Sequence, residues 1–242
     1  MLDNVNPGDG GIYKCRVDFR TAPTRITAVK LEVLVPPEKP VIYGPSGGEV
    51  RLKLGPYTLG QEVALACVVL GGRPAPEVTW WRDHRLVDSS YKQDSQHRVT
   101  NKLQLGPLRR VDLHSIFTCQ VIGITAIIFF FILLLIIFIF QAANNNVSVP
   151  VSTSVKLDLM FGPRSIRLVG AEQPLSAGRE RELVCEAEGG RPAPSFTWWK
   201  GGVRMEGVRE RTSGTSTARS SLVITPQAME DGQEVTLGLT NI

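Results

Sequence analysis

A block of sixteen residues occurs twice in the chain and constrains the fold more than any other feature. It runs from Cys67 to Arg82 and again from Cys185 to Lys200, and both copies contain Gly-Gly-Arg-Pro-Ala-Pro followed by Thr-Trp-Trp. Each copy predicts strand, turn and strand, because alternating apolar residues precede a stretch rich in Gly and Pro. Period two places Val78 and Trp80 on one face and Trp81 on the other, and we expect the Trp80 face to be core.

The cysteines and tryptophans have a spacing that is typical of one fold. Cys67, Trp80 and Cys119 match the immunoglobulin sandwich, in which a Trp packs against a disulfide between two sheets. A chance spacing in another β protein is the competing interpretation, and the duplicated block argues against it. We therefore predict an all-β chain of tandem immunoglobulin-like β-sandwiches, with a disulfide between Cys67 and Cys119 and with Trp80 and Trp198 in the cores.

The motifs predict three units, of which two are incomplete. Residues 1–37 carry only strands F and G of a first domain, because Asp-Gly-Gly-Ile-Tyr-Lys-Cys ending at Cys15 is typical of strand F. Residues 38–160 form the second domain, and residues 161–242 form a third that is truncated at strand F. Cys15 is expected to be unpaired because the strands upstream of it, which would carry its partner, are absent. Cys185 is expected to be unpaired because Leu237 stands where the strand F cysteine of the third domain would be.

The cysteines also indicate where the protein resides. Disulfides persist in oxidising compartments, so we expect a secreted or plasma-membrane protein with extracellular immunoglobulin domains. The residues after Met1 do not form a signal peptide, and we therefore expect the sequence to be a piece of a longer chain. Asn146 begins an Asn-Val-Ser sequon in the predicted turn between strands F and G, and it is a candidate glycosylation site.

Nothing in the composition favours catalysis or binding of nucleic acid. The net charge of +4 is spread along the chain, and the three histidines do not have the spacing of a metal site. Residues 44–48 match Gly-x-Ser-x-Gly, but the pattern lies between a Pro-rich linker and a predicted strand, whereas a nucleophile elbow needs a following helix. We expect no enzyme, no cofactor, no metal and no small-molecule substrate.

Residues 121–140 are twenty consecutive uncharged residues, most of them Ile, Phe and Leu. A helix of this length is about 30 Å long, which is the thickness of a bilayer core. The segment therefore predicts a transmembrane-like helix that would contact lipid. Its position conflicts with this prediction, because it starts two residues after Cys119, inside the F–G hairpin whose second strand is expected within 147–159. Paired strands lie about 4.8 Å apart, so a helix between them is expected to destroy their register.

Our hypothesis for this conflict is that residues 121–141 translate a retained intron. An in-frame GT splice site reads as Val121, and a polypyrimidine tract that ends in CAG reads as Phe-Gln at 140–141. Removing 21 residues joins Gln120 to Ala142 and restores an Asn-rich hairpin turn. The competing interpretation, a genuine membrane anchor, stays open.

The three units in series resemble insect neural cell-surface proteins of the sidestep family. The residues that carry the resemblance are the motif at 9–15 with Val-Leu-Val-Pro-Pro at 33–37, Gly-Gly-Arg-Pro at 71–74, the Trp-Trp pairs and Asn-Asn-Asn at 144–146. The resemblance implies heterophilic recognition of other immunoglobulin-superfamily proteins, the beaten-path group, in cell adhesion or axon guidance. A non-functional or membrane-trapped product of the unspliced transcript is the alternative.

Overall fold

The computed structural model describes residues 4–122, 150–171, 174–213, 216–230 and 232–240. Within these ranges the chain consists of β-strands, connecting turns and three short 3-10 helices, which confirms the all-β prediction. The helices are Pro7–Asp9, Arg110–Asp112 and Ala228–Glu230. No helix in the described ranges has the length and apolarity that a membrane span requires.

The N-terminal part forms a two-stranded hairpin of β1 (Gly11–Val17) and β2 (Arg25–Leu31), which pair antiparallel. Tyr13 donates a hydrogen bond from its hydroxyl to the carbonyl of Asp9 at 2.9 Å, as expected of a tyrosine corner. All residues of β1 are exposed. The Pro-rich segment that follows contains β3 (Val35–Pro37) and leads to β4 (Val41–Tyr43).

The middle repeat contains nine further strands, and eight of them form two sheets together with β4. The strands in chain order are β5 (Lys53–Thr58), β6 (Val63–Val69), β7 (Gly71–Arg73), β8 (Glu77–Arg82), β9 (Arg85–Asp88), β10 (Tyr91–Gln93), β11 (Val99–Leu105), β12 (Ile116–Ile122) and β13 (Val151–Met160). One sheet has the order β10-β11-β6-β4 and the other has the order β5-β13-β12-β8-β9, while β3 pairs with β7. Two sheets with these strand orders form an immunoglobulin sandwich.

Alternation along the strands creates the core of the middle repeat. In β6 every second residue is buried, and the same period recurs in β11 and β12. Burying each large apolar side chain contributes about 2 kcal/mol. The side chains with 1% exposure or less include Ile42, Leu54, Val63, Leu65, Val69, Val78, Val99, Phe117, Val155 and Leu157.

Strands β12 and β13 pair directly, although the apolar segment lies between them in the sequence. Their register runs from Ile116↔Lys156 to Val121↔Val151, which is the antiparallel pairing expected of the F–G hairpin. Val121 is fully buried and is also paired with Val78. The helix predicted for 121–140 therefore does not begin at Val121, because its first two residues extend strand F; the remaining residues of that prediction lie outside the described ranges.

The third repeat has a four-stranded and a three-stranded sheet. Its strands are β14 (Ser165–Val169), β15 (Arg181–Glu188), β16 (Ser195–Lys200), β17 (Val203–Arg204), β18 (Arg209–Ser213), β19 (Thr217–Ile224) and β20 (Val235–Thr240). The sheet orders are β14-β15-β19-β18 and β17-β16-β20. Their core is a cluster of buried residues that includes Leu183, Cys185, Phe196, Trp198, Ala218 and Leu222.

The repeated Gly-Gly-Arg-Pro segment connects two core strands in both repeats, but where the sequence predicts a turn the middle repeat has the short strand β7, which pairs with β3. In the middle repeat Gly72 has φ +91°, and a Cβ added to it would lie 2.9 Å from Cδ of Pro76. Glycine is therefore required at this position, because a side chain would clash and L-residues rarely adopt this conformation.

The described residues divide into two compact units. The first comprises Met1–Leu54, Glu62–Gly106 and His114–Leu157, and the second comprises Gly55–Gln61, Pro107–Leu113 and Asp158–Ile242. Within the second unit the Arg110 guanidinium donates hydrogen bonds to the carbonyls of Gly189 and Gly162, both at 2.6 Å, and lies 4.3 Å from the centroid of the Phe161 ring. These contacts hold the 107–113 segment against the third repeat.

Candidate functional site

The structure contains the disulfide between Cys67 and Cys119, which connects β6 to β12 and so joins the two sheets of the middle repeat. Trp80 is fully buried. It lies beside the disulfide, because it is the strand partner of Cys119 on β12. Its indole N–H donates to the carbonyl of Asn101 at 3.2 Å. The third repeat places Trp198 in the same way, with its indole N–H donating to Oγ of Ser220 at 2.9 Å. Each Trp is thus anchored to a strand of the opposite sheet.

The other two cysteines are free, and their surroundings differ. Cys15 is exposed on β1, whereas Cys185 is fully buried on β15. Burial, together with the nearby negative charge of Glu186, raises the pKa of the Cys185 thiol to about 11. A buried, protonated thiol is a poor nucleophile, so Cys185 is a core residue and not a reactive site.

The remaining sequence candidates add no reactive group to the described ranges. Asn146 lies outside the residues that the structure describes. The Gly-x-Ser-x-Gly segment forms a tight turn after β4, with the amide of Gly44 donating to the carbonyl of Gly48 at 2.9 Å, and no helix follows it in the described chain. Among the described residues no three His, Cys, Asp or Glu side chains form a group that could hold a metal ion.

The outer face of the five-stranded sheet carries a concavity. It has a volume of about 420 Å³ and lies on strands β8, β12 and β13 and on the turn after β8. Its lining comprises Trp81, Asp83, His84, Ile116, Thr118, Gln120 and Ser152. Strand alternation explains the composition, because Trp80 and Cys119 point into the core and their neighbours therefore point outward.

Trp81 is held in place on this face. Its indole N–H donates to Oγ1 of Thr79 at 2.9 Å, and that hydroxyl donates to the carbonyl of Gln120 at 3.3 Å. Trp81 is half-buried, while Leu86 on the adjacent strand and Ile116 are 52% and 45% exposed. A fixed, partly exposed indole surrounded by exposed aliphatic side chains is the composition of an interface centre.

The polar end of the concavity is a tight turn between β8 and β9. Asp83 and His84 both have positive φ, +44° and +70°, as a two-residue hairpin of type I′ requires. The amide of Ile116 donates to the Asp83 carboxylate at 2.8 Å, and the Asp83 amide donates to the Ile116 carbonyl at 3.0 Å. The turn is therefore fixed to strand β12, and one carboxylate and one imidazole border the apolar floor.

Sequence reasoning placed Trp81 on the face opposite the core, but it did not identify this face as a site. The signal was available in the repeat itself, because the third repeat also has an outward Trp beside its core Trp. Trp199 is 39% exposed and pairs with Thr236 and Arg204. The concavity could not be predicted in detail, because the turn of Asp83 and His84 shapes it and a histidine stands where a type I′ turn usually has glycine.

Comparison with known proteins agrees with this geometry. A family model for the CD80-like C2-set immunoglobulin domain matches residues 46–122 and 166–236, which together are more than half of the chain. The two matches fall on the middle and third repeats. Each match includes one copy of the duplicated block.

Individual relatives are similar over most of the chain. Human nephrin is 28% identical over 236 residues, covering 94% of this chain and 17% of nephrin. Mouse Kin of IRRE-like protein 2 is 29% identical over 208 residues, covering 83% of this chain and 25% of the relative. The chain thus spans a quarter or less of the length of these relatives.

A solved fragment of titin, I67–I69, shares the fold with a TM-score of 0.57 at 18% identity, covering 98% of this chain and 71% of the fragment. A likeness at this identity concerns the fold alone. Because the family model covers both repeats with their duplicated blocks, this chain belongs to the CD80-like C2-set immunoglobulin domain family.

Proposed function

We propose that this chain is part of a cell-surface recognition protein that binds another immunoglobulin-superfamily protein. The resemblance to the sidestep family supports a heterophilic interaction in cell adhesion or axon guidance, with beaten-path-like proteins as partners. The similarity to nephrin and to Kin of IRRE-like protein 2 supports the broader assignment to immunoglobulin-type recognition.

The observation that carries this proposal is the Trp81 face, which we define as the outward side chains of Trp81, Leu86 and Ile116 with the Asp83–His84 turn. Interface centres are enriched in Trp and depleted of charge, and their affinity comes from a few buried anchors. The Trp81 indole is pre-oriented by Thr79, so little side-chain entropy is lost when a partner covers it. One carboxylate and one imidazole at the rim would orient that partner.

An extracellular location follows from the same proposal. The Cys67–Cys119 disulfide joins the two sheets of the middle repeat and is stable in an oxidising compartment. In that compartment the Asn146 sequon would carry a glycan. No catalytic step is assigned to the protein.

The alternative of a non-functional or membrane-trapped product is not favoured. The middle repeat has both sheets, its disulfide and the β12–β13 pairing. Val121 and Val151 are strand partners, so the chain leaves and re-enters this sheet at neighbouring positions about 5 Å apart. A single crossing of a bilayer would separate these two positions by about 30 Å. This pairing supports a folded middle repeat over a membrane-trapped product.

The experiment that tests this function is a binding screen. The full chain, tagged and secreted, is applied to cells that each display one immunoglobulin-superfamily protein, with beaten-path-like proteins in the set. We expect saturable binding to one or a few of them. Trp81→Ala is expected to weaken that binding by at least about tenfold, because truncating an interface Trp costs about 2 kcal/mol or more.

A matched control distinguishes an effect specific to the Trp81 face from the effect of removing any exposed aromatic side chain. Tyr91 is another partly exposed aromatic residue of the first unit, but it lies on β10 in the other sheet. Tyr91→Ala is expected to leave binding unchanged. Binding that is lost equally in both variants, or in neither, would contradict the role of the Trp81 face, and an absence of binding to every displayed protein would contradict the function.

A further inference from the structure

The outer face of the four-stranded sheet in the third repeat carries a row of charged side chains. Strand register places Arg167 beside Glu186, Glu186 beside Arg219, and Arg219 beside Arg211, on four neighbouring strands. The row points outward, because Cys185 and Ser220 in the adjacent row are buried. Three arginines and one glutamate thus form a line across the sheet.

Arg209 extends this row into a patch at the edge of the sheet. It lies two residues before Arg211 on β18 and therefore faces the same side. The residue between them, Glu210, belongs to the other side, where its carboxylate accepts a hydrogen bond from the amide of Phe196 at 3.3 Å. We define the arginine patch as Arg209, Arg211 and Arg219.

The charges of the arginine patch are poorly compensated within the chain. Arg211 and Arg219 are direct strand partners, an arrangement in which like charges destabilise the sheet. Arg219 has one acidic contact, with the Glu186 carboxylate at 3.6 Å, and both side chains are partly exposed. Among the described residues neither Arg209 nor Arg211 forms an ion pair.

This concentration of charge is local and does not reflect a basic domain. Residues 158–242 contain ten Lys and Arg against eleven Asp and Glu, so this part of the chain is close to neutral. Three arginines at one sheet edge are therefore a specific arrangement. Like charges that repel in the free protein are stabilised when an anionic partner binds over them.

We propose that the arginine patch binds a linear sulfated polysaccharide. The planar guanidinium donates two parallel hydrogen bonds to a tetrahedral or planar oxyanion, which suits sulfate and carboxylate groups. The arginine patch lies on the neighbouring strands β18 and β19, with Arg209 and Arg211 about 7 Å apart along β18, so it presents three cations in succession to a linear polyanion. Sulfated polysaccharides share the oxidising extracellular compartment that the disulfide requires.

The same face does not fit single-stranded nucleic acid, which needs aromatic platforms for its bases. The described residues that alternate onto this face are charged, polar or aliphatic, among them Ser165, Val169, Glu182, Glu188 and Ser221. The inference goes beyond the proposed function, since it concerns another repeat and another class of ligand.

A purely protective role of the arginines is the competing explanation. Strand β18 is at the edge of its sheet, and charged side chains on edge strands prevent pairing with other chains. That role predicts that removing the arginines causes association of the protein but does not change its affinity for a polyanion. The two explanations therefore differ in a measurable quantity.

The test is binding of the full chain to immobilised heparin at two salt concentrations. We expect the double variant Arg209→Ala/Arg211→Ala to bind at least about tenfold more weakly than wild type, because each lost charge-assisted hydrogen bond is strong and is only partly screened by salt. The matched control is Arg85→Ala/Arg204→Ala, which removes two exposed arginines from β9 and β17. We expect this control to retain the affinity of wild type.

Two further probes identify the chemistry of the ligand. Desulfated heparin is expected to bind at least about tenfold more weakly than heparin, because sulfate is the group that the guanidinium recognises. Equal weakening in the patch variant and the control, or equal binding of heparin and polyglutamate, would overturn the proposal in favour of unspecific charge or an acidic protein. Unchanged heparin affinity in the patch variant, with or without association of the protein, would also overturn it. Unchanged thermal unfolding of each variant shows that it is folded.

Discussion

Leu237 is the strand partner of Trp198 in the third repeat, which is the place that Cys119 takes beside Trp80 in the middle repeat. Leu237 also follows Cys185 by 52 positions, the same separation that the middle disulfide spans. The third repeat thus has a leucine at the position of the second cysteine. Its core is closed by apolar packing, since Leu237 is partly buried against the cluster around Trp198.

Restoring the second cysteine is expected to create a disulfide. In Leu237→Cys, closing a loop of this length stabilises the protein by about 4 kcal/mol, from which the lost leucine packing subtracts about 2 kcal/mol. We therefore expect the third repeat to unfold about 10 °C higher, since each kcal/mol shifts a domain of this size by about 4–8 °C. Thermal unfolding with and without reductant measures the effect. A thiol at Cys185 that stays free in the oxidised variant would contradict the register.

The two free cysteines are expected to react at very different rates. At pH 8 the exposed Cys15 is expected to be alkylated by iodoacetamide in the native protein, and the buried Cys185 only after unfolding. The reason is that the pKa of Cys185 is raised to about 11, so almost none of its thiolate is present at pH 8. Peptide mass spectrometry without reductant reports the sites. Native labelling of Cys185 at the rate of Cys15 would refute its burial.

The same thiol predicts a dependence of stability on pH. The raised pKa means that the unfolded state loses its proton near pH 9 and the folded state near pH 11. The neutral thiol therefore makes its full contribution to the free energy of unfolding below pH 9, and this contribution is lost as the pH rises toward 11. We expect the midpoint temperature of thermal unfolding of wild type to fall relative to that of Cys185→Ala as the pH rises from 9 to 11. A constant difference between the two proteins would show that the thiol is not desolvated.

The adjacent tryptophans of the middle repeat are expected to have opposite roles. Trp80→Ala removes a fully buried side chain and is expected to cost about 3–5 kcal/mol of unfolding free energy. Trp81→Ala removes a half-buried side chain and is expected to cost about 1 kcal/mol. Chemical denaturation measures both values. Similar losses in the two variants would place Trp81 in the core and remove it from the recognition face.

Two deletions test whether Val121 belongs to strand F. Deleting 121–141 or 122–142 shortens the connection between the paired residues Gln120 and Ser152 from 31 residues to 10. Loop closure becomes more favourable by about 1 kcal/mol in both. The first deletion also puts Ala142 in place of the buried Val121, which costs about 2 kcal/mol. We expect the 122–142 deletion to be the more stable by about this amount.

Denaturation curves of the two deletion variants give the comparison directly. Equal stability would indicate that Val121 does not contribute to the core. Loss of the Cys67–Cys119 disulfide in both variants would indicate that the pairing of β12 with β13 depends on the deleted residues.

The sandwich fold could be predicted because its determinants are local. The duplicated block contains the Cys, the turn and the core Trp at fixed spacing, and period two separates Trp80 from Trp81 without knowledge of other strands. The hairpin strand β1 has an equally local signature, since Tyr13 and Cys15 are two residues apart.

The pairing of β12 with β13 is the F–G hairpin that the sequence predicts, but its continuation through Val121 could not be predicted, because it depends on contacts between distant segments. The apolarity of 121–140 predicts a helix, and a helix there is expected to exclude the F–G hairpin. Val121 pairs with Val78 and Val151. Cross-strand packing therefore places the first residues of the apolar segment in a strand. The arginine patch was equally hidden, because Arg211 and Arg219 become neighbours only through the sheet.

The most direct test of recognition through the Trp81 face is hydrogen–deuterium exchange of the full chain, alone and with the partner identified in the binding screen. We expect the partner to slow exchange in peptides that contain residues 81–87 and 115–118, which form this face. Peptides covering 91–105, in the opposite sheet, are expected to exchange at the same rate in both samples. Protection that appears only at 91–105 or only in the third repeat would contradict the assignment.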